Sequence, residues 1–281
     1  VSDQSTPTRL AFTAEEISHI SELLYRWTGM IFGKNKRYYI ERRITERMRC
    51  CGMVRVPAYL GLVRSHIGER EALINAFTIN ETYFYREEHQ FAALSNDLLP
   101  NIIRDRRPGD LVRIWSMPCS TGEEAYSIAI WLLENWPLVD AYNIEIVGSD
   151  IDTAALSRAR EGRFTERSLA RLPPGLRNAY FETEHGHSRR IIQDLRESVR
   201  FAPANIVDPA SMRGMGKFDV ILCRNVLIYF DDTARLTAAN TLYDCLNPGG
   251  YVCLGHSESM GRITDRFELA RLPDAIVYRR P

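Results

Sequence analysis

Little in this sequence fixes a compartment or a chemistry by itself, and each gap excludes something. No apolar run approaches the ~18 residues needed to span a bilayer; the best candidate, residues 220–230, is interrupted by Arg224 and Asn225. No cationic stretch followed by an apolar one opens the chain, so a secretory leader is not expected. The six cysteines (Cys50, Cys51, Cys119, Cys223, Cys245, Cys253) have no CxxC or CxxH spacing. They read as reduced, mostly buried thiols of a cytoplasmic protein, and no metal site is expected. Net charge is also missing: 36 Lys+Arg cancel 36 Asp+Glu, which gives no global attraction to nucleic acid. What is present is ordinary for a globular chain, 45% hydrophobic and 26% charged, so disorder is excluded. A length of 281 residues predicts one large domain or two unequal ones.

The periodicity divides the chain in two. Thr13-Ala14-Glu15-Glu16 is a capping box. Behind it Ile17, Ile20, Leu24 and Trp27 keep the helical period up to Gly29, a C-terminal stop. Further helices are predicted at 35–51 (Ile40, Ile44, Met48), from Pro57, and at 69–77, with no strand before residue 78. Residues 10–78 therefore read as an all-α domain and 79–90 as a linker. Residues 91–281 read as an α/β domain. A long helix is expected over 87–106. Strands are predicted at 111–117, 143–148, 218–223, 251–255, 267–270 and 275–279, and helices at 123–136, 152–160 and 232–246. This alternation predicts a mostly parallel, doubly wound sheet. Residues 171–204 read as a small antiparallel β insertion, with strands at 179–184, 189–195 and 199–201 and a turn near Gly186.

The first strand–loop–helix, residues 114–124, lies where nucleotides and adenosine-like cofactors bind. It lacks GxGxxG and has one glycine, so pyrophosphate is poorly supported. Glu123 and Glu124 at the helix start would repel phosphate but suit an ammonium or sulfonium. They are also ordinary residues for a helix N-terminus. Asp150, at the tip of the second strand, is placed to accept from ribose hydroxyls, whereas Asp152 suits the N-cap of the next helix. Arg224 and Asn225, interrupting an apolar strand, would be costly in a core without partners and are better placed lining a cleft with Tyr229.

Five motifs carry a resemblance. Asn80-Glu81-Thr82-Tyr83-Phe84-Tyr85-Arg86, the run from Cys119 to Ser127, Ser149-Asp150-Ile151-Asp152, the run from Cys223 to Phe230, and Gly255-His256-Ser257-Glu258 resemble those of the CheR-type chemotaxis receptor methyltransferases. They occur in order, and the resemblance covers residues 12–280. It implies a class I methyltransferase-like sheet, S-adenosyl-L-methionine as cofactor (S-adenosyl-L-homocysteine as product), and methyl-esterification of glutamates on the cytoplasmic helices of chemoreceptors. It assigns Asn80, Thr82, Arg86, Glu124, Asp150, Asn205, Ile206, Arg224 and Asn225 to the cofactor pocket. Arg86 and Tyr229 are assigned nearest the transferring methyl. Asn205 suits an adenine edge, and Asn225 and Thr82 the amino-acid end. Choosing Glu124 over Glu123 rests on the resemblance alone.

Zero net charge conceals a segregation. Residues 34–55 carry eight bases against two acids, a net of +6 that leaves −6 for the remainder. Arg42, Arg43, Arg47 and Arg49 lie on a helix whose other stripe is apolar, and the resemblance makes this face the receptor-docking surface. The hairpin at 183–189 is shorter than in relatives that grip a receptor C-terminal peptide by strand addition, which argues against that tether. His185 and His187 alternate there without a third ligand and read as exposed. Neither nucleic acid nor membrane insertion is expected, and a monomer is. Two alternatives stay open: a methyltransferase of RNA or small molecules, and a non-catalytic module that keeps a cofactor-like pocket.

Overall fold

The computed structural model describes residues 12–183 and 188–281. The chain forms two compact units, Val1–Thr78 and Ile79–Pro281. In the first, the capping box forms as expected: Glu16 N donates to Thr13 Oγ1 at 3.1 Å, and Thr13 N to Glu16 Oε2 at 2.9 Å. These bonds satisfy two amides that the helix cannot. Helix α1 (Ala14–Thr28) then runs to Gly29 at φ 72°. Helices α2 (Arg37–Cys50), α3 (Val56–Ser65) and α4 (Ile67–Phe77) follow. The apolar stripe of α2, Ile40, Ile44 and Met48, is buried with Leu24, Tyr59, Val63 and Phe77 in one core.

The second unit opens with a helical run in three parts: α5 (Glu88–Ala93), a π-helical turn (Leu94–Leu98) and α6 (Leu99–Ile103). Pro100, in the first turn of α6, lacks an amide, and its ring crowds the carbonyl four residues back, so the chain widens ahead of it. The helix expected over 87–106 is thus present but interrupted. Strand β1 (Leu111–Ser116), α7 (Glu123–Asn135), β2 (Asn143–Asp150) and α8 (Thr153–Glu161) come next. They are followed by β3 (Arg163–Thr165), α9 (Pro174–Tyr180), β4 (Phe181–Thr183), β5 (Ser188–Ile191), α10 (Gln193–Ser198) and β6 (Val199–Pro203). Strand β7 (Phe218–Cys223), α11 (Asp232–Cys245), β8 (Leu246–Leu254), β9 (Glu268–Arg271) and β10 (Ile276–Arg279) close the chain.

The main sheet has the order β6-β2-β1-β7-β8-β10-β9. Its first five strands are parallel, and β10 runs antiparallel to both β8 and β9. This is the mostly parallel sheet that the strand–helix alternation predicts. Strand β7, buried at every residue, lies at its centre. The order reverses between β1 and β7, the position at whose carboxyl edge open α/β sheets bind their ligands.

The insertion differs from expectation. Residues 199–201 lie in β6, which pairs in parallel with β2 from Ile146↔Val199 to Asp150↔Pro203, so this strand belongs to the main sheet. The antiparallel sheet has the order β3-β5-β4, with an unanticipated strand at 163–165. Residues 193–195 are helical, and Pro174 starts a helix where only the later strand was predicted. Short alternating runs fix neither partner nor direction, because any open edge satisfies them. The turn with His185, Gly186 and His187 lies outside the described residues.

Candidate functional site

The carboxyl ends of β1 and β2 are laced together by Asp150. Its Oδ2 accepts from Ser120 N at 2.8 Å and its Oδ1 from Asp152 N at 2.9 Å, while Cys119 N donates to Ser149 O at 2.8 Å. Burial pushes the Asp150 carboxyl up to about 6 despite these donors. Ser120 (φ 49°) and Gly122 (φ 96°) turn the loop sharply into α7. The next strand needs Gly148, since a Cβ there would sit 2.6 Å from the Phe201 ring of β6. Asp152 caps α8 as expected, accepting from Ala155 N at 2.8 Å.

The segment ahead of α5 is anchored beside this loop. Phe84 N donates to Ser168 O, Tyr85 N to Ser127 Oγ, and the Phe84 ring packs edge-on against Phe164 and Phe181. Asn80 is thereby placed between two site residues: its Nδ2 donates to Asp152 Oδ2 at 2.8 Å, and its Oδ1 accepts from Ser120 Oγ at 2.9 Å.

A buried charge cluster lies at the β1/β7 switch point. The Arg224 side chain, 2% exposed, donates Nη1 to Glu124 Oε2 at 2.8 Å. Its Nη2 donates to Arg86 O at 2.6 Å and lies 3.1 Å from Glu87 Oε2. Ser116 Oγ donates to Glu124 Oε1, and Gln90 Nε2 to Glu87 Oε2. Burial raises the Glu124 carboxyl, outweighing the Arg224 guanidinium. Burial also acts upward on Glu87, but Arg224 and His256 hold it below the usual carboxylate range. Burial alone would depress Arg224, and the two carboxylates keep it charged. With all three groups ionised the cluster is one charge negative, which favours a cationic ligand. Glu123 is distinct: it is buried, and its oxygens accept from Thr121 Oγ1 and Ser168 Oγ.

The remaining predicted residues border the same edge. Arg86 Nη1 donates to Glu81 O at 2.7 Å, and its guanidinium lies over Tyr83. Thr82 is half-buried in the same segment. Asn205 and buried Ile206 follow β6, where Val207 N donates to Asn205 Oδ1. Asn225, at φ 60°, follows β7, and Tyr229 ends the 3₁₀ turn Leu227–Tyr229. Among the described residues, the non-glycine positions with positive φ are Tyr85, Glu87, Ser120 and Asn225. All four lie along this edge, where strain of this kind concentrates at functional sites.

In the helical unit the four α2 arginines expected to dock a receptor separate. Arg42 and Arg49 are exposed, seven positions apart on one stripe. Arg43 stacks on Tyr39, its Cζ 5.3 Å from the ring centroid. Arg47 is clamped by Glu69, with Nε–Oε1 3.1 Å and Nη2–Oε2 2.5 Å, and Tyr59 donates its hydroxyl to Glu69 at 2.7 Å.

Residues 15–78 match the all-alpha domain model of the CheR methyltransferases, and residues 80–276 match that family's S-adenosylmethionine-binding domain model. The chain belongs to the CheR methyltransferase family. It is 42% identical to chemotaxis protein methyltransferase 2 of Vibrio cholerae, over 97% of this chain and 95% of that protein. It is 36% identical to the chemotaxis protein methyltransferase of Escherichia coli, over 93% and 90%. This CheR-family protein is an S-adenosylmethionine-dependent methyltransferase. Its residues fit that cofactor: Asp150 stands buried at the tip of β2, and the Arg224 cluster offers net negative charge toward a sulfonium or ammonium. No helix among the described residues is long and apolar enough to cross a membrane. Among the described residues, no three His, Cys, Asp or Glu side chains gather into a metal-holding group.

Sequence reasoning missed Ser116, Glu87 and Ser120 as members of this site. For Ser120 the signal was available, since it lies in one of the five motifs. Glu87 gave none, because its link to Arg224 exists only once α5 packs beside β7.

Proposed function

We propose that the protein esterifies glutamate side chains on the cytoplasmic helices of chemoreceptors. The observation that carries this reading is the constellation along the carboxyl edge of β2, β1 and β7: buried Asp150 beside Ser120, and Arg224 between Glu87 and Glu124. It stands in a chain that matches both CheR domain models. In this reading Asp150 accepts from ribose hydroxyls, Asn205 and Ile206 border the adenine, and Asn225 and Thr82 hold the amino-acid end. Asn80 and Arg224 brace the pocket, and Glu124 rather than Glu123 faces the cofactor, since Glu124 belongs to the Arg224 cluster whereas Glu123 is held by Thr121 and Ser168.

When bound, S-adenosylmethionine supplies an electrophilic methyl carbon on a sulfonium. The chain's own task is positioning. A glutamate carboxylate is already ionised near pH 7, so no general base is required. Arg86 holds the incoming carboxylate, Tyr229 orients it through its hydroxyl, and the surrounding edge keeps water out. Residues 10–78 serve as the docking domain, with the exposed Arg42 and Arg49 of α2 meeting acidic receptor helices. Arg43 contributes its outer edge, and Arg47 supports the helix through Glu69. Such a substrate places the working enzyme in the cytoplasm.

The test is incubation with radiolabelled S-adenosylmethionine and receptor-containing membranes, followed by mild alkali. Carboxyl methyl esters release their label as methanol. Label that persists in alkali, as N-methyl groups do, contradicts the reading.

A further inference from the structure

We infer that Glu258 is a positioning residue for the methyl-donor pocket, setting Asn225 and the turn that carries Tyr229. The inference rests on the reading of Asn225 as a cofactor contact. One carboxylate gathers three backbone amides: Oε2 accepts from Asn225 N at 2.8 Å and Gly255 N at 2.9 Å, and Oε1 from Leu227 N at 2.7 Å. Asn225 and Leu227 follow β7, whereas Gly255 follows β8. Glu258 therefore ties together the loops leaving two neighbouring parallel strands, beyond the last ladder pair, Cys223↔Leu254.

Two features make this more than a loop contact. Asn225 has φ 60°, a left-handed conformation that asparagine adopts more readily than other side-chain-bearing residues and that its surroundings here fix. Its amide bond to Glu258 is one such constraint. Gly255 supplies a second: a Cβ there would lie 2.7 Å from Asn225 Nδ2 and 2.8 Å from Glu258 Oε2. The Asn225 carboxamide and the Glu258 carboxylate thus both crowd the space that a side chain at 255 would fill. The third amide, Leu227 N, opens the 3₁₀ turn that ends at Tyr229. An ionised acceptor strengthens each bond over a neutral one. A glutamine would keep the shape but set an amide N–H against at least one backbone N–H.

The test uses Glu258→Gln, Asn225→Ala and the double variant of the full chain. S-adenosylhomocysteine and adenosine are titrated by calorimetry, and amide exchange is followed at 225, 227 and 255. Glu258→Gln is expected to weaken S-adenosylhomocysteine about tenfold, leave adenosine within about twofold, and speed exchange at all three amides. The double variant should weaken S-adenosylhomocysteine by less than the product of the single effects, because the two residues act as one unit. Unchanged S-adenosylhomocysteine affinity in Glu258→Gln, with Asn225→Ala weakened, overturns the role of Glu258 alone. Equal losses for both ligands mark a purely structural role and overturn it too. Unchanged affinity in Asn225→Ala overturns the reading of Asn225, and the inference with it.

Discussion

Arg224 Nη1 lies 2.8 Å from Glu124 Oε2, joining the end of β7 to the first turn of α7 across the switch point. Glu87 supplies a second carboxylate to the same guanidinium. A guanidinium this deeply buried is sustained only by such partners, and removing it leaves two carboxylates facing each other. Arg224→Met is therefore expected to cost about 3–5 kcal/mol of stability, measured by denaturant unfolding. Arg224→Lys should recover little, because one ammonium cannot reproduce the fork.

Asp150 makes cofactor affinity depend on pH. Its folded carboxyl titrates at about 6 because burial disfavours the charge, against an ordinary value of 3.8. Hydrogen bonds from ribose hydroxyls favour the ionised form. S-adenosylhomocysteine affinity should then hold above pH 6 and fall by up to about tenfold per unit below it. The stability contribution runs the other way: it is fully present below the unfolded pKa and lost as pH rises through 6. Asp150→Asn should abolish this group's part of both dependences, read by titration calorimetry and thermal unfolding from about pH 4 to pH 8.

Tyr229 tests positioning. With no base required, Tyr229→Phe should slow methyl transfer roughly tenfold to a hundredfold while S-adenosylhomocysteine affinity stays within about twofold. Undiminished turnover removes the orienting role.

The arginines of α2 should divide by partner. Arg42→Glu with Arg49→Glu is expected to reduce receptor methylation at low salt without changing the melting temperature, since both are exposed. Arg47→Ala should destabilise the helical unit by about 2–3 kcal/mol by leaving the buried Glu69 carboxylate, held by Tyr59, without its counter-charge. Arg47 thus reports stability, and Arg42 and Arg49 report docking.

How far the sequence predicts this molecule depends on range. The Thr13–Glu16 box, the Gly29 stop and the Asp152 cap are local, each set by residues within a few positions, and all formed as read. The central strands were legible because apolar runs such as 218–223 have no alternative to burial. Strand β6 was misplaced because its pairing with β2 is made across a long separation that no local pattern encodes. The same limit governed the site. Asp150 and Asn225 stood out as polar residues ending apolar strands, whereas the links from Arg224 to Glu87 and from Glu258 to Asn225 arise only from packing. The basic segment was visible as charge, yet its division into a clamped Arg47 and exposed Arg42 and Arg49 required Glu69, from another helix.

The most direct test of the account is mass-spectrometric mapping of receptor peptides after reaction with S-adenosylmethionine. The account predicts methyl groups on glutamate side-chain carboxyls of the receptor's cytoplasmic helices, absent when Asp150→Asn replaces the wild-type enzyme at limiting cofactor. Methyl groups confined to lysine, arginine or nucleic acid, or none on receptor under conditions where the cofactor binds, would contradict it.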